Sequence, residues 1–355
     1  MPALRIAALS AALLAVVPLT PALAVAPFGP TYRVTPNNCG FVSATSSSGQ
    51  TRGYEACTNG WRFVQGSGSS WTSSASPYSA SENVLAVAMD GASTWQVTSN
   101  SGGTYLRSRT GSTYNPGKRL TAQRVGTGDA AIVALGGRYL VVWSQGNGAG
   151  GAHLWEAHTL GSNTAPRLLY GNANQPNWRE VNPSLAYQAT THRTVLAWSH
   201  QLNASQNSVF MTNGAGGPWA TVRTVAGGAW QPSVAVEGST VAIGYGREDG
   251  TTCRCGGAVA TGTTSGMTSV HALSGQLNVP PKVALSNGVL GAVWIARSSQ
   301  ATYPLRVATR SSGVWSERVI GTLSNPYGLG DVASVAGRLR VFASYPGNYV
   351  GVRSQ

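Results

Sequence analysis

Charged residues are scarce in this sequence, and acidic residues are the scarcest: 11 of the 355 residues are Asp or Glu. A hydrolase that works with two carboxylates needs a facing pair about 5 to 10 Å apart. The one adjacent acidic pair is Glu248-Asp249, in the sequence REDG, and Asp-Gly is also a common turn signal. The candidate catalytic residues are therefore few: Glu248, Asp249 and Glu180.

Histidine, nucleophile motifs and runs of basic residues are also sparse or missing. The 5 His residues show no spacing typical of a metal site, and no Ser or Cys stands in a nucleophile elbow. No dense Lys/Arg run is present, although the formal net charge is +13. We therefore expect no metal, no cofactor and no specific nucleic-acid site. The basic charge favours an anionic partner, such as an acidic glycan or a wall polymer.

Long apolar runs are absent apart from the amino terminus. Residues 1–24 have the parts of a secretory signal peptide: the basic Arg5, an apolar run over residues 6–17 and Ala-Leu-Ala at 22–24. This run is shorter than the roughly 18 to 20 residues that a membrane helix needs, and no later run reaches that length. We expect a secreted, extracellular monomer that begins near Val25, has no transmembrane segment and forms one domain over residues 25–355.

The 4 Cys residues of an exported chain are candidates for disulfide bonds. Cys39 and Cys57 flank a predicted hairpin whose turn lies near Ser48, which would place them opposite each other. Cys253 and Cys255, in the sequence TTCRCGG, are too close for a relaxed bridge, although a strained one can form. The sequence leaves open whether these two pair with each other.

What the sequence has in abundance is Gly, with 45 residues, and an internal repeat. Short apolar segments begin at Pro183 (PSLAY), Pro232 (PSVAV) and Pro281 (PKVAL), at intervals of 49 residues. Related segments begin at Glu82, Ala131 and Gly330. A second segment follows each of the six and contains an aromatic residue: Trp95, Trp143, Trp198, Tyr245, Trp294 and Phe342. A period of this length predicts a repeat architecture.

Third and fourth segments complete each repeat. The third series includes LRSRT at 106–110, and YEACT at 54–58 is its seventh member. Before it, FVSATS at 41–46 reads as a second strand and TYRVT at 31–35 as a first, with WRFVQ at 61–65 as the fourth. Four short strands per repeat are typical of a β-propeller blade. We predict an all-β propeller of seven four-stranded antiparallel blades, with six as the alternative. The last blade would have three strands, or take its fourth from the N-terminal segment.

One stretch, TSNSGGTY at residues 98–105, is close to the Asp-box pattern Ser/Thr-x-Asp-x-Gly-x-Thr-aromatic, with Asn100 in the place of the Asp. An Asp box belongs in the turn between strands three and four, whereas the repeat places this stretch between strands two and three. Turns in the expected place, among them TRSSGVW at 309–315, keep Thr or Ser, Gly and an aromatic residue but lack the Asp. They resemble degenerate repeats of the sialidase/BNR (Asp-box) propeller group and of lectin-like propellers.

The resemblance implies where a site would lie. In such propellers it normally occupies the face formed by the loops between strands two and three and between successive blades. Here polar residues follow the strand-two aromatics, and exposed Trp and Gln precede first strands. Rings that stack on sugars beside groups that read hydroxyls or carboxylates are what carbohydrate recognition requires. We predict ligand-binding residues at Gln145, Trp178, His200, Trp230, Gln231, Arg247, Arg297 and Tyr345.

Three functions are consistent with these patterns. The first is a secreted binding propeller that recognises glycans or anionic cell-surface or wall polymers without catalysis. The second is a divergent sialidase-like glycoside hydrolase or lyase, using Glu248, Asp249 or Glu180 with Arg247 and Arg297. A sialidase would also need an arginine cluster and a Tyr nucleophile, and the usual Arg-Ile-Pro motif is absent. The third is a protein-interaction scaffold.

Overall fold

The part of the chain that carries the fold is seen in a computed structural model. It describes residues 28, 30–34, 39–47, 50–67, 69–79, 81–158, 165–171, 174–175, 177–203, 206–214, 219–249, 253–297, 303–323, 329–335, 338–345 and 349–354. The predicted signal peptide, residues 1–24, lies outside these ranges. Among the described residues the regular elements are β-strands, and no helix is long and apolar enough to cross a membrane.

The described strands form seven four-stranded antiparallel units, called blades below and numbered along the chain, of which the third and fourth share one sheet. Blade 1 comprises β2 (Cys39–Ser47), β3 (Gln50–Cys57), β4 (Gly60–Ser67) and β5 (Ser70–Ala75); blade 2 comprises β6 (Asn83–Asp90), β7 (Ser93–Asn100), β8 (Gly103–Thr110) and β9 (Thr113–Thr121). Blade 3 comprises β10 (Ala130–Ala134), β11 (Tyr139–Gly146), β12 (Ala152–His158) and β13 (Arg167–Tyr170); blade 4 comprises β14 (Arg179–Gln188), β15 (Arg193–Asn203), β16 (Gln206–Gly214) and β17 (Arg223–Gly227).

The remaining strands follow the same order. Blade 5 comprises β18 (Ala229–Glu237), β19 (Thr240–Asp249), β20 (Cys253–Thr263) and β21 (Gly266–Leu273); blade 6 comprises β22 (Leu277–Ser286), β23 (Val289–Ala296), β24 (Tyr303–Ser311) and β25 (Val314–Leu323). Blade 7 comprises β26 (Leu329–Val335), β27 (Arg338–Tyr345), β28 (Tyr349–Ser354) and β1 (Tyr32–Arg33). One parallel bridge, between Ala152 and Arg179, joins blades 3 and 4.

The seven blades close into a ring through their first strands. Each first strand contacts the next, from β2 through β6, β10, β14, β18 and β22 to β26, and β26 contacts β2 again. The N-terminal strand completes the last blade: Tyr32 pairs with Val352 and Arg33 with Gly351 on β28. The predicted all-β propeller is therefore confirmed, as is a fourth strand taken from the N-terminal segment.

The strand assignment predicted for blade 1 is wrong by one position. FVSATS belongs to β2, the first strand rather than the second, and YEACT to β3, the second rather than the third. WRFVQ lies in β4, the third strand, and residues 70–75 supply the fourth. YEACT shares three residues with WEAHT at 155–159, a member of the third-strand series, and this likeness shifted the assignment by one strand.

The blades pack through apolar side chains on both faces of each sheet. One core cluster joins Met211 of blade 4 to Ile243 of blade 5. The strand-two tryptophans Trp143, Trp198 and Trp294 are fully buried, as expected for inter-blade core residues. Buried apolar surface contributes roughly 25 cal/mol per Å², so each blade is stabilised largely by its neighbours.

The prolines of the repeat mark a β-bulge in the first strand. Pro183 lies within the register shift between Val181 and Ser184, and Pro232 has the same place in blade 5. Proline has no N–H to donate to the ladder, so a bulge is one of the few places in a sheet that accepts it. The interval of 49 residues seen in the sequence is therefore the interval between bulges.

The serine after each of these prolines joins two blades. Ser184 Oγ accepts the N–H of Val234 at 3.0 Å, and Ser233 Oγ accepts the N–H of Val283 at 3.1 Å. Both bonds span 50 residues, one repeat and one position. The proline thus interrupts the hydrogen-bond ladder within its own blade, and the serine that follows it hydrogen-bonds the next blade.

The propeller has two faces and an axial cavity. The loop face carries the turns between strands two and three, such as Ser101–Gly102, and the connections between blades. The turn face carries the turns between strands one and two, such as Gly91–Ala92, and those between strands three and four. The first strands of blades 2 to 7 line a cavity of ≈ 830 Å³ along the axis.

Candidate functional site

The stretch TSNSGGTY forms the turn between strands two and three of blade 2. Asn100 pairs with Gly103 across the hairpin, and its Oδ1 accepts the N–H of Gly102 at 2.8 Å. Gly103 has a φ of 128°, which an L side chain rarely adopts. The hairpin on the loop face, predicted from the repeat, is confirmed, and this stretch is not in the Asp-box position.

Acidic residues mostly hold the ring together. Six of the 11 accept a hydrogen bond from the neighbouring blade: Asp90, Asp129, Glu156, Glu237, Glu248 and Glu317. Glu237, for example, accepts the N–H groups of Asn287 and Gly288, both at 2.7 Å. Carboxylates used in this way are committed to the fold, which leaves few for chemistry.

The candidate catalytic residue Glu248 is one of these linking acids. Its Oε1 accepts a hydrogen bond from Nδ2 of the buried Asn207 at 2.8 Å, and its N–H donates to the carbonyl of Gly228 at 2.7 Å. Asp249 pairs with Cys253 through the backbone, and its side chain lies outside the described residues. The contacts of Glu248 join blade 5 to blade 4.

The third carboxylate candidate, Glu180, lies at the centre of a buried polar cluster in blade 4. Its Oε1 is 2.7 Å from Nδ1 of His200, and its Oε2 accepts the indole N–H of Trp198 at 2.7 Å. Glu180 is 1% exposed and His200 5%. A buried charge is retained only where hydrogen bonds compensate its lost hydration, and both oxygens of Glu180 are occupied here.

The Glu180–His200 pair stands at a position where the next two blades are different. Glu180 and His200 face each other across β14 and β15. The corresponding pairs are Ala229–Arg247 in blade 5 and Leu277–Ala296 in blade 6. Because the fold forms this position in those blades without an acid–histidine pair, the pair in blade 4 is not required by the architecture.

Trp178 lies beside His200 on the loop face. The two rings meet edge to face with centroids 5.1 Å apart, and the other side of the imidazole stacks on Phe210 at 4.5 Å. The backbone of Trp178 is fixed, because its carbonyl accepts the N–H of Ala152 at 3.0 Å. Trp178 is half-buried. Within the described chain, Nε2 of His200 makes no hydrogen bond.

The loop of blade 3 beside this cluster is organised by one side chain. Oδ1 of Asn147 accepts the N–H groups of Ala149 at 2.9 Å and of Gly151 at 3.1 Å. Gln145, predicted to bind a ligand, instead accepts the indole N–H of Trp143 at 3.2 Å through Oε1. Gln145 is half-buried, and the side-chain oxygen predicted to contact a ligand is instead hydrogen-bonded to Trp143.

Trp230 packs flat against blade 5 rather than standing free. A Cβ placed on Gly246 would come within 2.5 Å of the indole ring, so the ring fits only because residue 246 is a glycine. Its Nε1 is buried and has no acceptor among the described residues. Gln231 is exposed, with a φ of 46°, and its N–H donates to Oγ of Ser199, the neighbour of His200. The sequence placed Trp230 at the surface because it could not show this packing.

The remaining predicted residues, Arg247, Arg297 and Tyr345, lie in blades 5, 6 and 7. Arg247 and Arg297 are exposed, as is Arg179 of blade 4, which was not predicted. Arg247 faces Ala229, one residue from Trp230, and the N–H of Arg297 donates to the carbonyl of Gln276 at 2.7 Å. Tyr345 pairs with Tyr349 through the backbone, and its side chain lies outside the described residues.

Burial shapes the titration of two groups near the site. It raises the pKa of the Asp129 carboxyl, while the N–H of Asn182, 3.2 Å from Oδ1, and the charge of Arg179 oppose that shift. Burial also raises the pKa of Tyr170, and the negative charge of Glu180 raises it further. Sequence reasoning missed Asp129, although Gly-Asp at the start of a first strand recurs at Asp331 and was a usable signal.

The Cys39–Cys57 disulfide is formed, between residues that face each other on β2 and β3. Glu55 lies close to both sulfur atoms, and the three residues are the group of potential metal ligands found in the described residues. The disulfide removes the thiolates that a metal would bind. The side chains of Cys253 and Cys255 lie outside the described residues, so their pairing stays a prediction.

Comparison with known proteins identifies the fold but no family. No protein family and no curated protein match the sequence. Hydrazine synthase from Kuenenia stuttgartiensis is similar over 88% of this chain and 95% of its own, at 13% identity and a TM-score of 0.57. The β-propeller domain of the Trilobed protease from Pyrococcus furiosus is similar over 90% and 94%, at 7% identity and a TM-score of 0.55.

Two further structures are similar at lower TM-scores. One of two prolyl endopeptidases is similar over 90% of this chain at 10% identity and a TM-score of 0.52, but this chain spans 50% of its length. The microbial sialidase Hz136 is similar over 87% of this chain and 74% of its own, at 12% identity and a TM-score of 0.49. The likenesses with TM-scores above 0.5 show the β-propeller fold alone and do not bear on activity.

Proposed function

We propose that this protein is a secreted β-propeller that binds an acidic carbohydrate on its loop face, at the Trp178–His200 site of blade 4, without catalysis. The observation that carries the proposal is the Glu180–His200 pair. A buried carboxylate fixes the imidazole through Nδ1 and leaves Nε2 beside a half-buried tryptophan ring.

The chemistry of the site suits a sugar. An indole ring covers the apolar C–H face of a pyranose, and a fixed imidazole nitrogen hydrogen-bonds a hydroxyl at the ring edge. The neighbouring cations Arg179 and Arg247 are exposed, which favours a sugar that carries a carboxylate, sulfate or phosphate. The net charge of +13 increases the local concentration of such ligands.

Secretion is part of the proposal. It rests on the signal-peptide pattern of residues 1–24, and the Cys39–Cys57 disulfide is consistent with an oxidising compartment. Expression of the full chain with a C-terminal tag, followed by N-terminal sequencing of the exported product, tests it. Recovery of a product that begins near Val25 is expected, and retention of residues 1–24 in the cell-bound protein would contradict it.

Binding is tested on an array of neutral and acidic glycans, with affinities then measured by titration. We expect Trp178→Ala to weaken binding at least ~tenfold, about 1.4 kcal/mol, and His200→Ala to act similarly. Trp315→Ala is the matched control, because Trp315 is also a half-buried indole in contact with a histidine ring, that of His271 at 4.2 Å, but it lies on β25 of blade 6. Equal affinities for Trp178→Ala and Trp315→Ala would place the site elsewhere.

A second function, polysaccharide lysis, is favoured by the same pair. A histidine oriented by a carboxylate is the arrangement of a general base, which can remove the C5 proton beside the carboxylate of a uronic acid. The electron pair then forms the C4–C5 double bond as the C4–O glycosidic bond breaks, and the leaving oxygen takes a proton from the imidazolium or from water. Arg179 would neutralise that carboxylate. Incubation with uronate-containing polysaccharides tests this, since lysis creates a double bond that absorbs in the ultraviolet. Turnover lost in His200→Ala would support the lyase; binding without turnover supports the carbohydrate-binding protein.

A further inference from the structure

Arg52 crosses from blade 1 to blade 2 on the turn face. It is the third residue of β3, and its Nη1 donates to the carbonyls of Gly91 at 3.2 Å and Ala92 at 3.0 Å in the turn of blade 2. The same nitrogen is 3.4 Å from Oγ1 of Thr94. The guanidinium is therefore held in place by oxygen atoms of the neighbouring blade.

A second guanidinium stands on the other side of Thr94. Arg109 faces Thr94 directly across β7 and β8, so both side chains project from the same side of the sheet toward blade 1. Its guanidinium carbon is 3.6 Å from the centre of the Phe63 ring and 5.2 Å from that of Tyr114. Aromatic rings thus cover the faces of this group and leave its edges for hydrogen bonding.

Neither guanidinium has an anionic partner among the described residues. No ion pair involves Arg52 or Arg109 there, and the buried Nε atoms of both and Nη1 of Arg109 lack acceptors. Burial and then the charge of Arg109 lower the pKa of Arg52. Two like charges that are partly buried together raise the free energy of the fold unless an anion compensates them.

Acidic side chains of this face are already engaged. Asp90, beside the turn that Arg52 contacts, accepts the N–H of Gly137 at 2.5 Å. Glu237, on the same face in blade 5, accepts the N–H groups of the blade 6 turn. These two acids are therefore not the compensating partners of Arg52 and Arg109, which leaves that role to an anion from solution. Arg138, beside Gly137 in blade 3, is exposed.

We propose that Arg52 and Arg109 form a binding site for a tetrahedral oxyanion, a sulfate or phosphate group, where blades 1 and 2 meet on the turn face. A planar guanidinium presents parallel N–H groups that match such oxyanions, and two of them can hold one anion from both sides. The site lies on the face opposite the Trp178–His200 site and does not depend on the sugar-binding proposal. The anion is a free ion or a group carried on a polymer.

Titration calorimetry and thermal unfolding of the full mature chain test this site, with sodium sulfate and sodium phosphate as ligands. Sodium chloride at matched ionic strength is the reference, because sulfate also stabilises folded proteins by exclusion from their surface. We expect saturable binding that is at least ~tenfold weaker in Arg52→Gln and unchanged in Arg138→Gln, the matched exposed control. The anion should also raise the unfolding temperature of wild type more than that of Arg52→Gln.

Arg52→Lys keeps the charge but not the planar donors, so it should bind with intermediate affinity and provides a variant that folds if Arg52→Gln does not. Competition with dextran sulfate separates the two sources of the anion. Displacement of bound sulfate by this polymer, but not by neutral dextran, indicates a polymer-borne group. No displacement indicates the free ion. Equal sulfate binding by wild type and Arg52→Gln, or no saturable binding by wild type, would overturn the proposal.

Discussion

The indole N–H of Trp198 donates to Oε2 of Glu180 at 2.7 Å, within the core of blade 4. Trp294, the corresponding tryptophan of blade 6, is as deeply buried, but its Nε1 has no acceptor among the described residues. The difference arises from the first strands, where Leu277 replaces Glu180. The same core position therefore serves packing alone in blade 6, and both packing and the orientation of His200 in blade 4.

Substitution of the two tryptophans by phenylalanine should have unequal costs. Trp198→Phe leaves one oxygen of a buried carboxylate without its donor, which costs about 1.5–3 kcal/mol beyond the lost packing. Trp294→Phe loses packing of similar size but removes an N–H group that has no partner. Urea unfolding of both variants measures the difference. Equal losses would show that the Trp198–Glu180 bond contributes nothing to stability.

Stability should depend on pH through Asp129. Burial raises the pKa of its carboxyl, so the folded state binds the proton more tightly than the unfolded state. This contribution is complete below the unfolded pKa of about 3.9 and is lost as pH rises through the higher folded value. Asp129→Asn keeps an oxygen for the N–H of Asn182 and cannot ionise.

Asp129→Asn should therefore be more stable than wild type near neutral pH, and the advantage should vanish in acid below the unfolded pKa. Denaturant unfolding at a series of pH values measures both. If the stability difference between Asp129→Asn and wild type is the same at every pH, ionisation of Asp129 is not its cause. If Asp129→Asn is less stable than wild type at neutral pH, the direction of the pKa shift is wrong.

The fold was largely predictable because a propeller repeats its physical constraints. Pro183 and Pro232 mark bulges, and their spacing reported the repeat before any strand was assigned. Blade 1 was misassigned because YEACT, in its second strand, resembles a segment of the third-strand series. β1 is two residues long, too short for periodicity to identify as the outer strand of blade 7.

Several residues of the candidate site were predicted from the sequence, but the contacts between them were not. Glu180 and His200 were both candidates, yet they were assigned to different roles, because their pairing depends on the register of β14 and β15 across a bulge. The space that Gly246 leaves for Trp230 depends on three-dimensional packing. The Arg52–Arg109 pair joins residues of two blades, which no local pattern connects.

The Cys39–Cys57 bond should stabilise the chain by restricting its unfolded state. The two residues are separated by 18 positions, and closing a loop of this size contributes about 3 kcal/mol. We expect the double variant Cys39→Ala, Cys57→Ala to lose about that amount in urea unfolding under oxidising conditions. Stability equal to wild type would contradict the expectation. Reductant added to this variant then tests Cys253 and Cys255 alone, since a further loss requires a second disulfide.

Gly246→Ala should destabilise blade 5 through Trp230. The added methyl group would lie 2.5 Å from the indole ring, so the ring must leave its place or the strands must separate, at a cost of about 1–3 kcal/mol. Gly227→Ala is the matched control, because nothing lies within 4 Å of its Cβ position; its effect should stay within about 0.5 kcal/mol. Urea unfolding gives the stability, and tryptophan fluorescence reports exposure of the ring. If Gly246→Ala alters neither, Trp230 does not pack as described and becomes available to a ligand, as its surrounding sequence first suggested.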